Sequence, residues 1–166
     1  MWDGKTVKGP IKLKVDAPLD TIPVYLKPGA VVPVQLCPEL QFGRSMTGRR
    51  VDAVIVTFSN RDKEVSMLNT RGEAARVTVR AGAGGTGWKL ENLPEMNYLL
   101  VYGTASAASV KLDGAELPRV ETGDLDSMPI GWVTDPTGNR LVIHLPSRGV
   151  ENSAPTMEIQ VIQAGQ

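Results

Sequence analysis

Side-chain polarity in this sequence alternates with a period of two, and this feature most strongly limits the possible fold. Residues 11–16 (IKLKVD) alternate apolar and polar side chains without a break, which is the spacing of a β-strand. Other short apolar runs, rich in β-branched residues, lie between clusters of Gly, Pro, Asn and Asp and predict further strands: 52–58, 64–68, 75–81, 98–103, 109–114, 140–146 and 157–163. We therefore expect an all-β fold, with a small N-terminal β unit followed by an antiparallel β-sandwich.

Turn residues between these runs support hairpins. Asp113-Gly114 separates two short apolar runs, and 135–139 (DPTGN) separates two predicted strands; both are typical hairpin connections. The polar stretch 59–64 predicts another turn between strands. Residues 81–87 (AGAGGTG) predict a flexible loop. This loop is not a phosphate-binding loop, because no Lys-Ser or Lys-Thr follows it and no helical pattern begins after it.

Three prolines interrupt the strand-like stretch 17–33 (APLDTIPVYLKPGAVVP). Residues 27–30 (KPGA) have Pro and Gly at the two central positions of a type II turn. Such a turn twists the wrong way for a tight two-residue hairpin. If the flanks paired across the turn, Pro23 would lie where the ladder needs an amide, whereas the missing amide of Pro33 would point away from this partner and leave a neighbour on that side without a bond. The segment therefore predicts a corner where short strands change direction or sheet.

A change in composition follows this corner. Residues 37–50 contain Pro, Gly and three Arg without a clear period, which indicates a link between two units. We predict an N-terminal part over residues 1–44 and a β-sandwich over residues 45–166.

The charge balance excludes several classes of partner. The 166 residues contain 18 Lys plus Arg and 18 Asp plus Glu, so nothing indicates binding to nucleic acid or to an anionic membrane. No apolar run is long enough to span a bilayer, and no signal peptide is visible. Cys37 is the single cysteine, so an intrachain disulfide is impossible and the cellular compartment stays open.

The sequence offers few residues for catalysis. His144 is the single histidine, no glycine-flanked serine elbow occurs, and one histidine cannot build a zinc site. Asp124 and Asp126 are interpreted as solvated loop carboxylates, and Asp16 and Asp20 as residues that fix the turn around Pro18. We therefore expect no catalytic residues, no metal site and no cofactor in this chain.

Two tryptophans are candidates for contact with a sugar. Trp88 and Trp132 each follow a glycine at a predicted strand start. Aromatic faces stack on sugars, but the same residues suit core packing in a chain with only 5% aromatic residues. Both alternatives stay open at this point.

Residues 2–34 resemble the segment that follows the catalytic barrel in glycoside hydrolase family 31, which contains α-glucosidases and α-xylosidases. The likeness is carried by the order and spacing of rigid motifs: Trp2-Asp3-Gly4-Lys5, Ala17-Pro18-Leu19-Asp20-Thr21-Ile22-Pro23, and Gly29 to Pro33. The resemblance implies that residues 1–44 belong to a proximal β-domain and that 45–166 form a distal β-domain.

The resemblance also implies where the chemistry resides. Catalytic aspartates of this family lie in the barrel on motifs such as Asp-Gly-x-Trp-x-Asp-Met, which this sequence lacks. A barrel of about 250 residues does not fit into this chain. The implied role is a non-catalytic C-terminal region that supports the (β/α)8 barrel of an α-glycosidase. A strand edge in the N-terminal part would then be open to the barrel or to a second copy. A carbohydrate-binding module and an assembly domain are the alternatives.

Overall fold

The computed structural model describes most of the chain as β-structure joined by turns. The described residues are 7–16, 18, 24–37, 40, 50–69, 71–93, 96–103, 107–121, 128–135, 140–146 and 156–163. They form eleven strands: β1 (Val31–Leu36), β2 (Val51–Thr57), β3 (Lys63–Leu68), β4 (Ala74–Gly82), β5 (Gly85–Glu91), β6 (Tyr98–Tyr102), β7 (Ala107–Leu112), β8 (Ala115–Glu116), β9 (Gly131–Asp135), β10 (Arg140–His144) and β11 (Thr156–Gln163).

These strands form two sheets. Sheet A has the order β1-β2-β6-β10-β9, and sheet B has the order β3-β4-β5-β11-β7-β8. Among the described strands, β2 and β6 pair in parallel and the other pairs are antiparallel. The predicted all-β sandwich is therefore confirmed.

The main core lies between the two sheets. Alternate residues of β4, β5 and β11 point into it, including Val77, Trp88 and Ile159, each no more than 1% exposed. Their neighbours along each strand face solvent, so sheet B shows the regular alternation of a sheet that is covered on one face.

The central strands of sheet A, β2, β6 and β10, are buried on both faces. All five residues of β6 (YLLVY) are buried, and a second apolar cluster covers the face of the sheet that points away from the main core. This cluster includes Leu36, Leu40, Ile55, Leu100 and Met128. Strands buried on both sides read as continuous apolar runs rather than alternating ones, which explains the sequences of β2, β6 and β10.

The predicted corner at 27–30 is present. Gly29 has a φ of 71°, and the Ala30 amide donates to Lys27 O over 3.0 Å, as a type II turn requires. Thr57 fixes the corner, because its hydroxyl donates to Lys27 O and accepts from the Ala30 amide. After the corner, β1 forms one edge of sheet A, and an edge is a position where a sheet tolerates Pro33.

Two local predictions were wrong. Residues 11–16 have no regular secondary structure, because no described strand lies beside them to complete a ladder. Residues 81–87 are not a flexible loop: β4 continues to Gly82 and β5 begins at Gly85, and these two glycines are register partners across a tight hairpin. The predicted hairpin at 113–114 is supported by the pairing of β7 with β8. Residues 136–139 of the other predicted connection lie outside the described residues, and the strands before and after them, β9 and β10, are paired.

The division at residue 44 stays a prediction. The structure adds that β1, which comes from the predicted N-terminal part, is hydrogen-bonded to β2 of the predicted sandwich. Residues 31–36 are therefore an integral strand of sheet A.

Candidate functional site

Trp88 is a core residue by position. It lies in the middle of β5 opposite Val79 and Ile159, and it is 1% exposed. Its ring meets Phe58 edge to face, with centroids 5.7 Å apart. Its indole nitrogen is buried without a hydrogen-bond partner among the described residues. A sugar that stacks on an indole needs an open ring face, and this placement leaves none.

Trp132 lies in β9, an edge strand of sheet A. It is 3% exposed in β9, its indole N–H donates to Leu117 O over 3.2 Å, and the guanidinium carbon of Arg119 is 5.3 Å from the ring centroid. This is cation–π geometry. Trp132 also lines a solvent-open cavity of about 440 Å³ with Ala108, Ser109, Glu116, Leu117, Pro118 and Arg119.

The chain crosses between the sheets beside this cavity. The Leu117 amide donates to Val110 O in sheet B, whereas Pro118 O accepts the Trp132 amide in sheet A. Residues 117–120 therefore belong to both sheets and close this side of the sandwich. Gly131 makes the crossing possible, because a Cβ there would lie 2.5 Å from Pro118 O.

A second cavity of about 200 Å³ lies on the opposite side, near the ends of β2 and β3. Its lining includes the apolar residues Val54, Leu93 and Met96. The polar residues Asp52 and Gln35 also line it. The Gln35 amide donates to the Asp52 carboxylate over 3.0 Å. The cavity contains one carboxylate and no basic group, so its lining does not supply an acid–base pair.

His144 is held by structural contacts. Its Nδ1 lies 2.6 Å from Met128 O, and its ring stacks on Tyr98 with centroids 4.5 Å apart. Since a carbonyl oxygen only accepts, this contact places the proton on Nδ1. As the sequence pattern predicted, Val142 shares its face of the sheet, while Leu141, Ile143 and Leu145 point into the main core.

Arg140 and Asp135 form a buried ion pair that the sequence analysis did not predict. Arg140 Nε donates to the Asp135 carboxylate over 2.9 Å, and the two side chains are 6% and 10% exposed. Arg140 Nη1 also donates to Leu40 O and to the Tyr102 hydroxyl oxygen. Burial raises the pKa of Tyr102, and the charge of Arg140 opposes this effect. The pair could have been anticipated, because Asp135 and Arg140 flank the predicted hairpin.

The other described carboxylates form no group that could hold a metal ion. Hydrogen bonds from the Ala81 amide and the Arg80 guanidinium lower the pKa of Asp62. These contacts of Asp62 fix the turn before β3. Asp16 is exposed, and Asp20, Asp124 and Asp126 lie outside the described residues. Within the described part of the chain, no group of three or more His, Cys, Asp or Glu side chains could hold a metal ion. That part also contains no helix suited to crossing a bilayer.

Exposed apolar side chains occur near the N-terminus instead. Among the described residues before β1, six apolar side chains are between 42% and 61% exposed: Val7, Ile11, Leu13, Val15, Val24 and Tyr25. Large apolar side chains in water are suited to contact with another polypeptide where they lie together.

No family model and no curated protein matches this sequence. Solved structures do match the fold. A cycloalternan-forming enzyme from Listeria monocytogenes, solved with a pentasaccharide substrate, matches with a TM-score of 0.61 and 20% identity over 81% of this chain. A family 31 glycoside hydrolase from Flavobacterium johnsoniae, a dextranase complexed with isomaltotriose, matches with a TM-score of 0.63 and 19% identity over 90% of this chain.

The matched regions are small parts of those proteins. This chain spans 13% of the length of the cycloalternan-forming enzyme and 21% of the dextranase. The similarity confirms, at the level of the fold, the resemblance to glycoside hydrolase family 31: this chain is built like part of a family 31 enzyme.

Proposed function

We propose that this chain is a non-catalytic C-terminal β-domain region of a family 31 α-glycosidase, and that it supports a catalytic (β/α)8 barrel. One observation carries the proposal: the match covers 81–90% of this chain but only 13–21% of the enzymes. The proposed role is structural, and the described residues fit it, because no group of three or more His, Cys, Asp or Glu side chains among them could hold a metal ion.

The exposed apolar residues at 7–25 support the same role. A β-sandwich that leaves six large apolar side chains in water has a surface suited to contact with a further domain. We propose that residues before the corner at 27–30 contact the barrel, while β1 to β11 form the supporting sandwich.

The test is to read the coding sequence upstream of Trp2 and to co-express any barrel-sized region found there with residues 1–166. We expect that region to carry the aspartate motifs of the family, to co-purify with this chain and to gain thermal stability from it. The purified 166-residue chain should release no product from an aryl α-glucoside. Hydrolysis by this chain alone, or an upstream region without a barrel, would contradict the proposal.

A second candidate function is sugar binding in the open cavity that Trp132 lines. It is favoured by the open cavity of about 440 Å³ where Ser109, Glu116 and Arg119 supply polar groups. Titration with isomaltotriose should then quench tryptophan fluorescence in this chain, and Arg119→Ala should change the affinity. A flat titration removes this candidate. Trp88→Phe serves as the control, because the ring of Trp88 is 1% exposed and does not line this cavity.

A further inference from the structure

A carboxylate lies on the core-facing side of sheet A at one end of the sandwich. Asp52 alternates along β2 with Val54 and Val56, and both valines belong to the main core. Residues two apart in a strand share a face, so Asp52 lies on the side of the sheet that faces sheet B. Its register partner Gln35 donates to one carboxylate oxygen over 3.0 Å. No other described residue donates a hydrogen bond to this carboxylate.

The cavity of about 200 Å³ begins beside this carboxylate. Three of the side chains that line it, Val54, Leu93 and Met96, are between 2% and 7% exposed, so this part of the lining belongs to the packed core and exists before any ligand binds. Leu68 also lines the cavity and is 67% exposed, so the cavity is open to water on that side. An apolar cavity of about 150 Å³ takes up benzene, so this one has room for a single ring or a short branched chain.

The charges around the cavity favour a cation. Asp52 is the one ionisable residue among the described residues that line it. Asn69 lines it as well, and its amide is already bonded to the Glu73 carboxylate. Arg50 is exposed and donates to the side-chain oxygen of Gln35 rather than to Asp52. Beside apolar walls a carboxylate attracts a positive charge more strongly than it does in bulk water.

We propose that this cavity binds a small primary ammonium ion with an aromatic or branched aliphatic body. The body lies against Val54, Leu93 and Met96, and the ammonium donates to the Asp52 carboxylate as a charge-assisted hydrogen bond. A neutral molecule of the same shape gains the apolar contact alone, and an anion is repelled. The inference is independent of the proposed function, because the lining residues lie between positions 33 and 96 and none belongs to residues 7–25.

The probes are benzylamine, benzyl alcohol and benzoate, which carry the same ring with a positive, neutral and negative substituent at pH 7. Each is titrated into the isotope-labelled 166-residue chain, while backbone amide shifts are followed at Asp52, Val54, Leu68 and Leu93. We expect benzylamine to bind roughly tenfold more tightly than benzyl alcohol, because a hydrogen bond between charged groups is added to the same apolar contact. Benzoate should bind most weakly of the three.

Asp52→Asn removes the charge and keeps the oxygen that accepts from Gln35. In this variant the affinity for benzylamine should fall to that for benzyl alcohol. The matched control Glu116→Gln removes a carboxylate from the other cavity and should leave the preference for benzylamine unchanged. Leu68→Lys changes an exposed position and adds a positive charge beside the cavity, so it should weaken benzylamine binding and strengthen benzoate binding.

Four results would each overturn the proposal: equal affinity for benzylamine and benzyl alcohol, no shifts with any probe, shifts confined to residues outside the cavity, or an unchanged preference in Asp52→Asn. The amide spectrum of each variant shows whether it is folded. If Asp52→Asn does not fold, Leu68→Lys decides the question, and an unchanged order of the three affinities in that variant contradicts the proposal.

Discussion

Arg140 and Asp135 form a buried ion pair, with 2.9 Å between Nε and the carboxylate oxygen. The two residues are register partners at one end of the β9–β10 hairpin. A further bond of 2.8 Å from Arg140 Nη1 to Leu40 O connects this hairpin to residue 40, whose φ of 55° is unusual for leucine. One guanidinium thus organises three separate parts of the chain on the outer face of sheet A.

Arg140→Met should destabilise the protein strongly. The variant leaves the Asp135 carboxylate buried without its cation, which costs about 3–5 kcal/mol, and urea denaturation measures the loss. Arg80→Met is the matched control, since the side chains of the Arg80–Asp62 pair are 69% and 54% exposed, and its effect should be much smaller. The double variant Asp135→Leu/Arg140→Met should recover most of the loss. Equal effects of Arg140→Met and Arg80→Met would show that the buried pair has no special role.

Because of Tyr102, the stability of the folded protein should depend on pH in the alkaline range. Its pKa is raised by burial in the folded state, so above about pH 10 the unfolded chain loses this proton more readily than the folded chain. The stabilising effect is complete below that pH and is lost as pH rises through the folded pKa. Urea midpoints measured between neutral and alkaline pH should fall less steeply for Tyr102→Phe than for the wild type. Parallel curves would contradict this assignment.

Gly131→Ala should disrupt the crossing between the sheets. With a φ of 150°, a Cβ at this position would lie only 2.5 Å from Pro118 O, so there is no room for a methyl group. We expect a loss of about 1–3 kcal/mol from overpacking, measured as a lower thermal midpoint. At Gly84 a Cβ would meet no atom within 4 Å, so Gly84→Ala should be nearly neutral. A tolerated Gly131→Ala would mean that residues 117–120 move away at little cost.

Thr57→Val should loosen the corner at 27–30. The hydroxyl makes bonds of 2.7 Å to Lys27 O and 2.9 Å from the Ala30 amide, and valine keeps the shape without either bond. We expect a loss of about 1–2 kcal/mol and faster hydrogen exchange at Ala30. Thr78→Val, on the outer face of β4, is the control and should change stability little. If both variants behave alike, the corner does not depend on Thr57.

The sequence predicted the strands well where turn residues lie on both sides of an alternating or β-branched run. The strands β2, β4, β10 and β11 lie within two residues of the predicted runs, because turn residues bound them on both sides. Residues 11–16 carry the same signal but are not a strand. Alternation indicates which side chains prefer burial. A strand also needs a second strand for its main-chain hydrogen bonds, and the local sequence does not show where that second strand lies.

The candidate site was less predictable for the same reason. The glycines before Trp88 and Trp132 were compatible with a surface or a core position, and only the register of β5 and β9 shows that both rings are buried. The burial of the central strands of sheet A on both faces also depends on distant residues such as Leu40 and Met128. These features follow from long-range pairing, which a local pattern does not encode.

The passage of residues 117–120 from sheet B to sheet A has a mechanical consequence. A sandwich whose layers touch only through side chains can shear or peel apart one layer at a time, whereas here a continuous backbone clamps both layers at the β8–β9 side. Force applied to one layer is transmitted to the other through covalent bonds. Because residues 117–120 are hydrogen-bonded to β7 in one layer and to β9 in the other, this flank of the sandwich resists being opened.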